Sequence, residues 1–424
     1  MQLNAEQSQR GREPSEEKFF LGRQPILDRE QKILAYELLF RSADISYAII
    51  SDHFQVCASV MINTLVDFGL EQVLGRHKGF FNVTRDMLMS EALELLPREQ
   101  VVIELLETIV VDAEVVARCR ELKEKGFTLA LDDHLYSPEF EELYRIVSIV
   151  KVDLMALPLE QLPAMVKILK QWPLTLLAEK VETQEQYDFC AGLGFELFQG
   201  FFFARPVVLK QKKVDISKVA LIGLMNKLMA DAEIKEIEDS FKQNPNLIYS
   251  LLRLVNSVFF GLREKVRSLR HAIMVLGQAQ LRRWVMLALY ACTDSQTAAN
   301  PLLEMAAVRG RLMEQIVIKF AAFSGDRELA ERAFMTGILS LMDVLFEAPM
   351  PEVVKQLNIT EDIRRALVDR EGPLGILLQL AEKVEQTEFE AVGPLLDRSR
   401  ITLDQLLEAQ LETINWANGL DLMV

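Results

Sequence analysis

From Phe19 to Phe203 the chain repeats one unit: a short apolar or β-branched run, a polar residue closing it, then a stretch with helical spacing. The runs that read as strands are FFLGRQPIL near the start, KILAY before Glu37, GFF before Asn82, VVI before Glu104, TLAL before Asp132, SIV before Lys151, LTLLA before Glu179 and FELF before Gln199. Between them, HFQVCASVMINTLVDFG, DAEVVARCRELKEKG and LEQLPAMVKILKQ place apolar residues three and four apart, and two of the three close on a glycine suited to a helix C-terminus. Strand runs alternating with helical ones predict parallel strands joined by crossover helices, and this many in so short a stretch predict a compact (β/α)8 TIM-type barrel. Such barrels gather their functional groups at the carboxyl ends of the strands, so the polar residues closing the runs are expected to face one cleft.

After Pro206 the texture changes. LKQKKVDISK is polar and lysine-rich, and beyond it helical periodicity continues to the C-terminus without strand signals. The expected organisation is a mobile tail over 1–17, an α/β barrel over 18–208, a linker over 209–216 and an all-α domain over 217–424. In NPNLIYSLLRLVNSVFFG, Leu247, Leu251, Leu254, Val255 and Val258 share a face and Gly261 is a suitable terminator. Ser268 is positioned to cap HAIMVLG, which Gly277 would end, and LRRWVMLALYA reads as a buried helix.

Half of the residues are hydrophobic and 26% are charged, as in soluble globular proteins. The net charge of -15 opposes a phosphate backbone, so no nucleic-acid polymer is expected as a partner. No apolar run reaches a bilayer span and the opening MQLNAEQSQRGREPSEEK is polar, which predicts no membrane association and a cytoplasmic protein. Cys57, Cys119, Cys190 and Cys292 lie far apart, which argues against a disulfide framework. His53, His77, His134 and His271 have no second histidine at ligand spacing, which disfavours zinc.

The strand-end set comprises Glu37, Asn82, Glu104, the pair Asp132 and Asp133, Lys151, Asp153 and Glu179. Hard oxygen donors of this kind suit Mg2+ or Mn2+, and without a cation so many acids would repel one another. Adjacent aspartates are well suited to serving two ions, and such a centre fits in-line hydrolysis of a phosphodiester. Lys151 would then position or polarise the water, and Glu179 is the candidate general base.

The segments RQPILD, YELLFR, FFNVT, IELLE, LDD, IVKVD, LLAEKVE and FQGFFFARP resemble, in order and spacing, the motifs of EAL-type cyclic-di-GMP phosphodiesterases over residues 18 to 208. Carried over position by position, the resemblance makes Glu37, Asn82, Glu104 and Asp132 metal ligands and gives Asp133 to a second metal. It makes Lys151 and Glu179 catalytic, places Asp153 beside the metals, makes Glu107 and Glu182 outer-shell glutamates, and puts Gln24, Arg41 and Gln199 in the nucleotide pocket. Glu107 would steady the loop after the aspartate pair.

Three departures stand out. Glu37 is followed by Leu38 and Leu39 in place of Ala-Leu. Lys180 stands where the family has glycine. The glycine-rich DDFGTGYSS is replaced by DDHLYSPEF, in which His134 reads as a structural stand-in for phenylalanine.

The helical half resembles an HDOD domain through LLRLVNSVFFGL and VRSLRHAIMVLGQAQLRRWV, and its lone His271 leaves no metal set for hydrolysis of its own. Its basic run, Arg253, Arg263, Lys265, Arg267, Arg270, Arg282 and Arg283, is either a solvated face or a partner surface. The resemblance therefore implies a cyclic-di-GMP phosphodiesterase with two Mg2+ or Mn2+ ions, an HDOD module that regulates it or docks a protein partner, and a possible homodimer. A non-hydrolytic cyclic-di-GMP receptor or a scaffold is the alternative.

Overall fold

The computed structural model describes residues 19–42, 70–204, 216–242, 248, 251, 255, 268–291, 301–320, 326–346 and 348–420. Strands β1 (Phe19–Leu27), β2 (Ile33–Ser42), β3 (Lys78–Val83), β4 (Val101–Leu105), β5 (Thr128–Leu131), β6 (Ile149–Asp153), β7 (Thr175–Glu179) and β8 (Leu197–Gln199) close into a barrel in sequence order. From β2 to β8 neighbouring strands are parallel, as expected. β1 departs from that expectation, because it runs antiparallel to both β2 and β8.

The cause is local. A parallel return needs a long crossover, whereas β1 and β2 are joined by the short segment Asp28–Lys32, which can make only a hairpin. Asp28 Oδ1 accepts from the backbone N–H groups of Glu30 and Lys32 at 2.9 and 2.8 Å, and Gln31 takes a left-handed φ of 59° to complete the turn.

Strand alternation then builds the interior. Ile26, Ala35, Phe80, Val102, Ala130, Ile149, Leu177 and Leu197, one from each strand, form a separate buried cluster that plugs the barrel. Because side chains alternate faces with a period of two, the residue two positions nearer the carboxyl rim also points inward. On β2 to β8 those residues are Glu37, Asn82, Glu104, Asp132, Lys151, Glu179 and Gln199; on the reversed β1 the equivalent is Gln24, two positions earlier. The polar set thus forms a ring on top of an apolar plug, and most of its members lie within the strands.

Helices cover the outside. Over Ala113–Glu124 the Asp112 side chain caps the Val115 N–H at 2.9 Å, and Val115, Val116, Cys119 and Leu122 turn to the core. Over Gln184–Leu193, Thr183 and Gln186 form a reciprocal capping box and Gly194 ends the helix at φ 94°. LEQLPAMVKILKQ contains the helix Leu162–Leu169. HFQVCASVMINTLVDFG lies outside the described residues.

The second half is helical, and its core runs from Leu221 to Ala409 in one cluster. Ser268 Oγ accepts from the His271 N–H at 3.2 Å, the expected cap. Gly277, at φ 72° and ψ 164°, breaks the helix Leu269–Ala291 where the sequence places an end. In the following segment Leu281, Val285, Met286 and Leu289 are buried. Leu251 and Val255 are buried as well, while Leu247, Leu254, Val258 and Gly261, and 209–215 of the expected linker, lie outside the described residues.

Of the basic run, Arg270 pairs with Glu238, Arg282 with Glu331, and Arg283 with Glu314 while stacking over Phe334. These arginines are absorbed by acids of their own domain. Arg253, Arg263, Lys265 and Arg267 lie outside the described residues.

The halves dock through the β1–β2 hairpin. Arg23 lies 3.9 Å above the Tyr36 ring and reaches Glu304, on the helix Pro301–Lys319, at 3.2 Å; the Tyr36 hydroxyl donates to the same carboxylate. Gln410 donates to the Leu21 carbonyl at 3.1 Å, and Leu407 and Leu411 pack on the barrel core. At Gly22 an added Cβ would come within 2.8 Å of the Thr387 side chain and 2.9 Å of the Phe389 ring, so a larger residue there would have to displace them. Among the described residues no helix is long and apolar enough to cross a membrane.

Candidate functional site

Lys151 sits at the centre of the polar ring, fully buried. Its Nζ lies 2.7 Å from Asp132 Oδ1, 2.8 Å from Glu104 Oε1, 2.9 Å from Glu179 Oε1 and 3.5 Å from Glu37 Oε1. Asn82 Nδ2 donates to Glu37 Oε1 at 2.9 Å. Gln199 Nε2 donates to Glu37 Oε2 at 2.5 Å and to Gln24 Oε1 at 2.9 Å. Gln24, Glu37, Asn82, Glu104, Asp132, Lys151, Glu179 and Gln199 therefore meet in one connected ring.

One ammonium faces four carboxylates, and burial penalises each ionised acid. The Glu104 carboxyl is held well above the usual carboxylate range, first by burial and then by its acidic neighbours, against the pull of Lys151. Burial likewise pushes Glu179 up to about 8, again opposed by Lys151. On Lys151 the same carboxylates outweigh burial and raise the ammonium well above its ordinary value. The ring is short of positive charge.

It also keeps donor atoms in reserve. Glu104 Oε2, Glu179 Oε2, Asn82 Oδ1 and Gln199 Oε1 are buried without a hydrogen-bond partner among the described residues, a costly state unless something else binds them. Glu37, Glu104 and Asp132 bring ligand oxygens within 4.8 Å of one another, and so do Asp132, Asp133 and Glu179. Hard oxygens, excess negative charge and orphaned acceptors fit a hard divalent cation.

Above the ring the rim carries Asp133, at φ 41° and partly exposed, and Asp153. Asp153 Oδ1 accepts from the Met155 N–H at 2.7 Å and its Oδ2 pairs with Lys180 Nζ at 2.5 Å. Lys180 has φ 54°, which explains why glycine suits this position in sequences of similar pattern.

The loop after Asp133 is held by aromatic rings. His134 is buried, its Nε2 lies 2.6 Å from the Tyr144 hydroxyl, and burial pulls its imidazole down to about 4. Tyr144 Oη also accepts from the Ser137 N–H at 3.1 Å, while Tyr136 and Tyr144 pack on Trp172. His134 is therefore a core residue, as its sequence context suggests.

Some expected residues are not brought together. Glu107 is exposed, and among the described residues no hydrogen bond or ion pair ties it to the loop it was expected to steady. That loop is braced instead by Tyr144 and Trp172, which sequence patterning did not single out. Glu182 is half-buried beside the capping box, its N–H donating to Gln186 Oε1 at 2.7 Å. Arg41 belongs to β2, but its side chain lies outside the described residues.

Comparison with known proteins finds two domains in the chain. The EAL domain matches residues 7–206 and the HDOD domain residues 219–369. The chain is 30% identical over 409 residues to the cyclic di-GMP phosphodiesterase CdgJ of Vibrio cholerae, covering 96% of this chain and 94% of that protein. It is 26% identical over 409 residues to the uncharacterized protein YuxH of Bacillus subtilis, covering 95% and 98% respectively. Among solved structures, the Bacillus subtilis YkuI protein, with an EAL domain and in complex with c-di-GMP and calcium, is 20% identical, covers 61% of this chain and 72% of its own, and has a TM-score of 0.38.

Proposed function

The chain belongs to the EAL-domain family and carries an HDOD domain behind its barrel, and from that premise we infer that it is a divalent-metal-dependent phosphodiesterase that opens cyclic-di-GMP to linear pGpG. The observation that carries this reading is the buried ring itself, with four carboxylates around Lys151 and unpartnered oxygens on Glu104, Glu179 and Asn82. A ring kept only for folding would be better served by apolar residues, because buried ion clusters seldom outweigh their desolvation cost.

Glu37, Asn82, Glu104 and Asp132 would hold a Mg2+ or Mn2+ ion, and Asp132, Asp133 and Glu179 mark a second cation position. Such an ion would supply an activated water and neutralise charge building on the phosphodiester. Lys151 holds the carboxylates in register and faces the developing negative charge. Glu179 would take the proton of the attacking water once a cation beside it offsets the burial and acidic neighbours that raise its carboxyl, leaving it ionised. As the water oxygen bonds to phosphorus, the P–O3′ bond breaks and the 3′ oxygen leaves with the bonding pair, taking a proton from solvent to become the hydroxyl. Gln24, Arg41 and Gln199 would seat the nucleotide, with Asp153, Glu107 and Glu182 in supporting positions.

We propose domain limits of 1–17, 18–208, 209–216 and 217–424, with the helical half regulating the barrel or docking a protein partner. Cytoplasmic residence suits Cys119 and Cys190, which are buried free thiols. A receptor that binds cyclic-di-GMP without hydrolysing it is the second reading, favoured by one observation: the aromatic bracing of the loop after Asp133. Incubating the full chain with cyclic-di-GMP and Mn2+, beside Glu37→Ala, separates the two. pGpG from the wild type alone supports the enzyme, and bound nucleotide without product supports the receptor.

A further inference from the structure

Two lysines serve the carboxylates of this rim, and they differ in kind. Lys151 is buried inside the ring. Lys180 follows Glu179 directly, is half-exposed, and adopts a left-handed backbone at φ 54° that side chains other than glycine rarely take. Its Nζ lies 2.5 Å from Asp153 Oδ2 and 3.8 Å from Asp133 Oδ1. Asp133 is also the residue that, with Asp132 and Glu179, brings three ligand oxygens within 4.8 Å. One carboxylate is thus claimed by the second cation position and by the ammonium together.

We propose that the Lys180 ammonium is the resident cation of that second position, so that the chain binds one divalent ion, at Glu37, Asn82, Glu104 and Asp132, where its carboxylates alone would accept two. The inference rests on reading the barrel as a divalent-ion site. A covalently tethered ammonium cannot be diluted away or chelated, and its charge repels a dication approaching Asp133 from the solvent side. Asp153 is closed to an incoming ion in the same way, because one of its oxygens is held by Lys180 and the other accepts the Met155 N–H at 2.7 Å. The backbone strain at residue 180 is retained, on this account, for the position it gives the ammonium.

Counting bound Mn2+ decides the matter without any turnover assay. The full chain, Lys180→Gly, Lys180→Asn and Glu37→Ala are titrated with Mn2+ alone by calorimetry, and the loaded samples are examined by electron paramagnetic resonance. Lys180→Gly relieves the backbone and Lys180→Asn tolerates it, so both are expected to fold. One Mn2+ per wild-type chain, two per chain in both Lys180 variants with a spin-coupled pair spectrum, and a loss of Mn2+ in Glu37→Ala support the proposal. Two Mn2+ in the wild type overturn it and leave the phosphodiesterase reading standing, as does one Mn2+ in the wild type and in both Lys180 variants. No Mn2+ in any of the four overturns the underlying reading and the proposal with it.

Discussion

Lys151 Nζ and Asp132 Oδ1 stand 2.7 Å apart at the centre of a barrel whose other polar residues arrange themselves around that pair. Removing the ammonium leaves four buried carboxylates facing one another. Lys151→Met is therefore expected to destabilise the metal-free protein by about 3–5 kcal/mol near neutral pH, measured by urea unfolding. A loss below about 1 kcal/mol would show that the acids are neutral without it.

Adding Mn2+ should supply the charge the ring lacks. At a hundredfold excess over its dissociation constant, an ion that binds only the folded state adds about 2.7 kcal/mol. Glu104→Gln is expected to fold and to lose most of that gain in thermal unfolding. An unchanged gain would place the ion elsewhere.

Glu179 sets a pH dependence of defined sign. Its carboxyl is raised from 4.5 to about 8 in the folded protein, so its contribution to stability is complete below the lower value and lost as pH rises through the higher one. Without metal, the wild type should therefore lose stability relative to Glu179→Gln as pH rises across that window. A flat difference would mean that Glu179 is not a buried acid.

His134 carries the opposite sign. Burial lowers its imidazole from 6.5 to about 4, so its contribution is complete above the unfolded value and lost as pH falls through the folded one. Acid unfolding curves of the wild type and His134→Phe should diverge progressively below about pH 6.5. Parallel curves would indicate an accessible, protonated ring.

At the seam between the halves, Glu304→Gln removes the ionic partner of Arg23, whose side chain is 9% exposed. A loss of about 1–3 kcal/mol is expected in unfolding experiments. Because Gln24 and Glu37 lie on the strands that Arg23 and Tyr36 anchor, the same variant should weaken cyclic-di-GMP binding in calorimetry. Intact affinity would show that the hairpin holds its shape unaided.

The ring was legible in sequence because strand periodicity does the placing: once Ile26, Phe80 or Val102 points into the barrel, the inward neighbour follows two residues away. The reversed β1 was harder to see, since FFLGRQPIL has the same composition in either direction and only the shortness of Asp28–Lys32 marks the hairpin. Lys180 showed itself as a departure from glycine, but its grip on Asp153 depends on a left-handed turn that a residue letter does not encode. Tyr144 and Trp172 acquire their bracing role only through tertiary packing. The same holds for Arg23 and Glu304, separated by 281 positions.

The β1–β2 hairpin is one ribbon with two clients. Its inner surface supplies Gln24 and Glu37 to the polar ring, and its outer surface offers Arg23 and Tyr36 to the helical half. No joint lies between the two surfaces, since successive side chains on a strand are carried by the same backbone. Glu304, on the helix Pro301–Lys319, is thereby joined to Gln24 and Glu37 through one stretch of backbone.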